Sequence, residues 1–157
     1  MQFAFSKKQR FECKQCGVCC HLKTLSLTDA EYERFTTIIN HSYYEDVHKF
    51  YLTPTIRLHD VSFRGKDCPF LKKKDEKKLC SIYDSRFIMC RLFPLAITAL
   101  PDEELLVNLI HCNGISLDHG ELVDELFVGN VLEGISRSDH SFWEKFVAGR
   151  KSYYDNL

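Results

Sequence analysis

The sequence predicts a small single domain of the α+β class, with a metal-bound cysteine loop, a short hairpin and a helical C-terminal third. Three observations lead to this prediction. Four of the eight cysteines lie within the eight residues from Cys13 to Cys20. Two runs of strand-forming residues flank a turn in the second half of the chain, and the last third carries apolar residues at helical spacing. We assign residues 1–157 to one cysteine-cluster domain, with 115–157 as a helical packing extension.

The first regular element after the cysteine loop is predicted to be a helix. Thr28-Asp29-Ala30-Glu31 has the pattern of a capping box, in which the side chains of the first and fourth residues satisfy backbone N–H groups. The helix should extend to about Asn40 and pack one apolar face on the core. The residues of that face are Tyr32, Phe35 and Ile39.

The middle of the chain contains weaker signals. Residues 41–58 show no single periodicity and are interrupted by Pro54, whereas Val61 to Phe63 predicts a short strand before Gly65. The run from Lys72 to Lys78 reads K-K-K-D-E-K-K and predicts a solvated loop or hairpin tip.

A helical turn is predicted from Ser85 to about Leu92, ended by Pro94. Residues 95–100 and 105–110 flank the sequence P-D-E-E and are rich in strand formers, so they predict a hairpin. This hairpin should return Cys112 to the metal centre.

The C-terminal third is predicted to form two helices. Ser138 or Asp139 is the expected cap of the second helix. The apolar stripe of the first comprises Val123, Phe127, Val131 and Ile135, and that of the second Trp143, Phe146 and Val147, with Arg150 at its basic end.

The cysteine pattern favours metal ligation over other uses of eight thiols. Disulfide frameworks belong to short secreted chains, and the start M-Q-F-A-F-S-K-K-Q-R contains no apolar run typical of a signal peptide or membrane span. We therefore expect a cytoplasmic protein with reduced thiols. Catalytic redox centres use an isolated C-x-x-C pair, and simple buried cysteines do not recur every third residue.

The charge balance argues against nucleic acid and membrane surfaces as partners. The chain has 21 basic and 22 acidic residues, so it lacks the net positive charge with which proteins usually bind polyanions. The sequence does not indicate an oligomeric state.

Two kinds of metal centre remain open. The spacing of Cys13, Cys16 and Cys19 matches the C-x2-C-x2-C run of bacterial ferredoxins, and the adjacent Cys20 suits a centre with several metal ions. An iron-sulfur cluster is the leading interpretation. Structural zinc is the alternative, although the second C-x2-C knuckle of a typical zinc site is missing. The candidate ligands for either centre are Cys13, Cys16, Cys19, Cys20, Cys68, Cys80, Cys90 and Cys112.

Several residues beside the cysteines are secondary candidates. His21 and His111 each neighbour a cysteine and are held in reserve as ligands. Arg86 lies one helical turn before Cys90, and Arg91 follows it; either cation could offset thiolate charge or instead pair with nearby carboxylates. No catalytic acid, base or nucleophile stands out.

Five cysteine motifs follow one another along the chain: F-E-C-K-Q-C-G-V-C-C, C-P-F-L, C-S-I-Y-D-S-R, C-R-L-F-P and C-N-G. Together they resemble the YkgJ-type cysteine-cluster proteins, also described as the CxxCxxCC family of zinc- or iron-chelating domains. The resemblance covers about Phe11 to Gly114 and keeps the family's order of motifs. Arg86-Phe87 departs from the arginine-proline pair typical of the family.

The resemblance implies zinc or iron-sulfur binding through all eight cysteines. It also implies three candidate roles: a redox or protein-modification role with a protein substrate or redox partner, a zinc-stabilised interaction module, or a lysine N-methylase-like activity. The last is the weakest, because the chain has no glycine-rich G-x-G-x-x-G loop for a nucleotide or S-adenosylmethionine.

Overall fold

The computed structural model describes residues 1–20, 24–53, 56–100 and 104–146. The helices are α1 (Asp29–Ile38), α2 (Ile88–Leu92) and α3 (Glu125–Ser138), and residues 140–146 are also helical. The strands are β1 (Gln2–Phe3), β2 (Arg10–Phe11), β3 (Thr24–Thr28), β4 (Glu45–Thr53), β5 (Ile56–Ser62), β6 (Leu71–Lys74), β7 (Lys77–Cys80), β8 (Leu95–Ala99), β9 (Leu105–Leu109), β10 (Ile115–Ser116) and β11 (Glu121–Leu122). This mixture confirms the predicted α+β class and the helical C-terminal region.

The chain forms two compact units, which are described separately. The central unit comprises residues 15–90, and the terminal unit comprises residues 1–14 together with 91–157. The assignment of the whole chain to a single domain stays a prediction. Within the described residues, no helix combines the length and the apolar character needed to cross a membrane.

The central unit is built on an antiparallel sheet with the strand order β3-β5-β4. Leu25 of β3 lies opposite Val61 of β5, and both are buried. Their side chains belong to one hydrophobic core with Leu27 and a group of aromatic residues from α1 and the following loops.

Helix α1 begins where the sequence predicts. The Thr28 hydroxyl accepts a hydrogen bond from the Glu31 N–H, and the Glu31 carboxylate accepts one from the Thr28 N–H, which completes the capping box. The helix ends at Ile38, slightly earlier than expected. Phe35 is fully buried, and Tyr32 and Ile39 pack partly against the core, so the predicted apolar face is confirmed.

Residues 41–63 contain more strand than the sequence predicts. The strand predicted at residues 61–63 is present as the end of the longer β5, which pairs with the long strand β4, and a 3₁₀ turn at His41–Tyr43 precedes them. Polar residues such as His48 and Asp60 are interspersed with the apolar ones, and a register shift between Asp46 and His48 disturbs the alternation. These features obscure the period-two alternation by which strands are predicted from sequence. The predicted break at Pro54 lies outside the described residues.

The lysine-rich run forms a hairpin, as expected. β6 and β7 pair antiparallel from Leu71 opposite Cys80 to Lys74 opposite Lys77. Asp75 in the two-residue turn has a φ of 55°, a left-handed conformation that aspartate tolerates better than most residues. The lysines from 72 to 74 are exposed, which agrees with a solvated tip.

The terminal unit contains the predicted second hairpin. β8 and β9 pair antiparallel from Leu95 opposite Leu109, and β1 adds to β9 in parallel. A second small sheet has the order β10-β2-β11. Of the predicted P-D-E-E turn, residues 101–103 lie outside the described part of the chain.

Both predicted C-terminal helices are present. Asp124 caps α3 by accepting a hydrogen bond from the Phe127 N–H, and Asp139 accepts one from the Phe142 N–H at the start of the second helix. Val128 and Ile135 of α3 are buried, whereas Val123 is buried but precedes the helix. Val147 and Arg150 of the predicted second stripe lie outside the described residues.

Candidate metal centre

The cysteine loop in the central unit turns sharply because two residues adopt left-handed backbone conformations. Gln15 has a φ of 52° and Gly17 a φ of 74°. A 3₁₀ turn follows at Val18–Cys20, and the Cys20 N–H donates to the Gly17 carbonyl at 2.9 Å. The turn therefore groups Cys19 and Cys20 at one end of the loop.

Two backbone hydrogen bonds attach this loop to the rest of the central unit. The Cys68 N–H donates to the Cys20 carbonyl at 3.2 Å, and the Lys78 N–H donates to the Gln15 carbonyl at 3.0 Å. The loop is thereby joined both to the segment that begins at Cys68 and to β7, which ends at Cys80.

The segments that carry Cys68 and Cys90 pack on an aromatic core. Phe70, two residues after Cys68, and Phe87, three residues before Cys90, are both buried, and their ring centroids lie 5.7 Å apart. Three cysteines are partly buried and pack against the same core, namely Cys68, Cys80 and Cys90. Phe87 stands where the sequence departs from the family's arginine-proline pair, and here it serves as a core residue.

Five thiols of the central unit are linked by hydrogen bonds or by electrostatic interactions, and we call them the five-thiol cluster. Cys20 interacts with all the other members: it shares hydrogen bonds with Cys19 and Cys68 and interacts electrostatically with Cys80 and Cys90. All five are partly buried. The cluster comprises Cys19, Cys20, Cys68, Cys80 and Cys90.

Hydrogen bonds between the thiols and burial shift the pKa values of Cys19, Cys20 and Cys68. Donation to Cys20, followed by burial, raises the pKa of Cys19. The pKa of Cys20 is raised to about 11: the bond with Cys19 lowers it, but the bond with Cys68 and burial outweigh that effect. The bond from Cys20 lowers the pKa of Cys68 against the effect of burial. Of these three thiols, Cys68 is the one whose pKa is lowered.

Burial, and then the neighbouring thiolate charges, raise the pKa of Cys90 to about 12. Arg86 opposes this, because its positive charge lowers the pKa of both Cys90 and Cys19. The Arg86 guanidinium is held over the Tyr83 ring, 4.0 Å from its centroid, and its Nε donates to the Tyr83 carbonyl. These contacts favour the predicted role of Arg86 as a cation beside the thiols.

The remaining candidate residues are distributed differently. Cys16 belongs to the central unit and is partly buried, whereas Cys13 and Cys112 belong to the terminal unit. The assignment of Cys13, Cys16 and Cys112 as ligands stays a prediction, and so does the return of Cys112 to the metal centre. The Arg91 guanidinium donates to the Gly134 carbonyl and to the Ser138 hydroxyl of α3, and its role as a cation beside the thiols stays a prediction. His21 lies outside the described residues.

The donor set fits a soft, thiolate-binding metal. Thiolate sulfur is the preferred ligand of zinc and of iron-sulfur clusters. Among the residues described, no three cysteine, histidine or acidic side chains converge at ligand distance. Cys20 instead hydrogen-bonds with Cys19 and Cys68, so the thiols would have to lose protons and converge as a metal binds.

The loop geometry yields a first prediction: a methyl group at Gly17 should destabilise the central unit. A Cβ there would lie 2.8 and 2.9 Å from the Lys78 side chain, and the left-handed backbone adds strain. We expect Gly17→Ala to lower the free energy of unfolding by about 1–3 kcal/mol, measured by urea denaturation.

Gly65 provides a matched control for this prediction. Its φ of 76° is nearly the same, but nothing lies within 4 Å of the Cβ position. Gly65→Ala should show the backbone strain alone, and the additional loss in Gly17→Ala should report the contact with Lys78. Equal losses in the two variants would contradict the proposed packing of the loop on β7.

Comparisons with known proteins place the chain in a family. Residues 12–113, well over half of the chain, match the model of the CxxCxxCC family, described as "Putative zinc- or iron-chelating domain". A protein of Methanocaldococcus jannaschii, named "Uncharacterized protein MJ0661", is 30% identical over 122 residues, which cover 74% of this chain. The chain spans 64% of the length of that relative. No solved structure matches the chain.

Proposed function

The chain belongs to the CxxCxxCC family of zinc- or iron-chelating domains, and from this premise we propose that the five-thiol cluster is its metal centre. We further propose that the centre holds an iron-sulfur cluster. The observation that supports this proposal most directly is the association of five thiols within one unit, those of Cys19, Cys20, Cys68, Cys80 and Cys90.

The number and type of the thiols support a centre with more than one metal ion. A structural zinc ion takes four ligands in a tetrahedron, whereas five thiols interact here and Cys16 lies in the same loop. Two of the five, Cys19 and Cys20, are adjacent in sequence. Adjacent side chains diverge from the backbone, so they suit different ions of one cluster better than a single tetrahedral ion.

The chain's own residues would supply the environment of the cluster. Partial burial limits the access of water, and Arg86 provides positive charge beside Cys19 and Cys90. Both factors influence the reduction potential of iron-sulfur proteins. An iron-sulfur cluster, when bound, supplies reversible electron transfer, and we propose a redox partner or a protein substrate as its target.

Zinc is the second candidate, and a specific feature favours it. Cys16 and Cys19 form a C-x2-C knuckle on a tight turn with a left-handed glycine, which is the local form of many zinc sites. In that case the metal would stabilise the central unit, and the protein would be an interaction module.

Metal analysis tests the proposal directly. Protein purified without oxygen is expected to contain iron and acid-labile sulfide and to show a visible absorption band that bleaches on reduction, because iron-sulfur clusters are coloured and redox-active. Iron, zinc and sulfide should be quantified on the same sample. A Lys74→Ala variant, altered at an exposed position of the hairpin tip, should give the same values.

Parallel reconstitution distinguishes a lost cluster from a zinc site. Metal-free protein is incubated with ferrous iron and sulfide in one sample and with zinc in another. A colourless protein that contains zinc, and that forms no absorption band with iron and sulfide, would overturn the iron-sulfur proposal. Failure to retain either metal would overturn the metal-centre proposal as well.

A further inference from the structure

We infer that Glu31 is a positioning residue that holds Cys90 within the five-thiol cluster. This inference deepens the proposed function and rests on it for its metal-binding consequences. It concerns a second role of the capping-box carboxylate, which reaches from α1 to the segment that carries Cys90.

The contacts of Glu31 exceed those that helix capping requires. One carboxylate oxygen accepts from the Thr28 N–H at 3.1 Å, as a capping box demands. The other accepts from the Ile88 N–H at 2.6 Å, although Ile88 is 57 residues away in sequence. The residue is only 8% exposed, whereas glutamate is seldom buried unless it is paired. The bond to Ile88 accounts for this burial.

Two further residues of α1 contact the same segment. The Arg34 guanidinium donates to the Ser85 carbonyl at 3.0 Å and lies 4.7 Å from the centroid of the Phe87 ring. The Phe35 ring also packs on Phe87. Helix α1 therefore holds residues 85, 87 and 88 through a carbonyl, a ring and an N–H.

Cys90 lies just after this anchored segment in the chain. Ile88 is buried and begins α2, and Cys90 lies two residues later in the same short helix. A five-residue helix gains little stability from its own hydrogen bonds. Its position therefore depends on outside contacts, and Glu31 supplies the one to its first N–H.

Cysteine alkylation tests the inference without any metal. In reduced, metal-free protein, Glu31→Ala should raise the alkylation rate of Cys90 several-fold, as followed by mass spectrometry of the peptides. Zinc affinity, measured by competition with a chromophoric chelator, should fall about 10- to 100-fold, the usual effect of losing a residue that orients a ligand.

Matched variants separate positioning from general destabilisation. Thr28→Ala removes the hydroxyl that caps α1 but leaves the hydrogen bond that the Ile88 N–H donates to Glu31, so it should leave Cys90 alkylation and zinc affinity near their original values. Glu31→Gln keeps an oxygen that can accept from Ile88 and should resemble the unchanged protein. Glu31→Asp, one methylene shorter, should behave like Glu31→Ala and provides the same test if the alanine variant does not fold.

The alkylation results show whether Glu31 positions Cys90. Unchanged Cys90 alkylation in a folded Glu31→Ala or Glu31→Asp variant would overturn it, and so would equal effects of Thr28→Ala and Glu31→Ala. If the unchanged protein binds no metal but Cys90 alkylation still responds to Glu31 as expected, the proposed function fails while the structural role of Glu31 stands.

Discussion

Changing Cys20 to serine is expected to lower the metal affinity of the protein by more than the roughly 10- to 100-fold typical of residues that only orient a ligand. Cys20 interacts with each of the other four thiols of the five-thiol cluster, so its loss removes one interaction from each of them. A serine hydroxyl stays protonated at neutral pH and is a poor ligand for soft metals. Metal content should be measured by mass spectrometry on protein purified in parallel with the unchanged chain.

The same variant should also lose the stabilisation that the metal provides. Binding of a structural metal to the folded state adds its free energy to that of folding, which is about 10–16 kcal/mol in small zinc domains. Thermal unfolding of Cys20→Ser should therefore resemble that of metal-free protein, with or without added metal. Lys74→Ala is the control and should retain both metal and stability. A Cys20→Ser variant with unchanged metal content would remove Cys20 from the ligand set.

Two companion variants address the cysteines whose role is still a prediction. Cys16→Ser should also lower the metal content, because Cys16 belongs to the same loop and unit as Cys19 and Cys20. Cys13 is exposed and belongs to the terminal unit. The metal content of Cys13→Ser therefore decides whether the ligand set extends beyond the central unit.

The sequence predicted local features well, because each has a strong short-range signal. The capping box at Thr28, the lysine-rich hairpin and the cap at Asp139 depend on residues within a few positions of one another. The hairpin of β8 and β9 was predictable for the same reason, since both strands are apolar and joined by a short connection. The cysteine spacing likewise predicted a metal centre, and the family match agrees with it.

Features that depend on distant residues could not be predicted in this way. The β4 and β5 hairpin was missed because polar residues and a register shift obscure its alternation. Arg86 and Arg91 both neighbour Cys90 in sequence, and only the fold distinguishes them, since Arg91 bonds to α3. The contact between Glu31 and Ile88 carries no sequence signal, because it joins two elements far apart in the chain.

Removal of the Phe35 ring is expected to cause the largest loss of stability in the metal-free protein. Phe35 is fully buried, and its ring lies 4.9 Å from that of Tyr44 and within 6.4 Å of the rings of Phe63, Phe70 and Phe87. Truncation of a buried phenylalanine to alanine costs about 3–5 kcal/mol, a large part of the roughly 5–15 kcal/mol that stabilises a domain. Urea denaturation followed by circular dichroism measures this loss.

Loss of the Phe35 ring should also disturb the metal centre, because Phe35 packs on Phe70 and Phe87, which support the segments that carry Cys68 and Cys90. Phe35→Leu keeps much of the apolar volume and should lose clearly less stability than Phe35→Ala, while its thiols should stay closer to their original reactivity. Ile38→Ala is the control on the same helix: its side chain is 58% exposed, so its effect should stay within about 0.5 kcal/mol. If Phe35→Ala and Ile38→Ala unfolded at the same urea concentration, the aromatic core could not be what holds the cysteine-bearing segments in place.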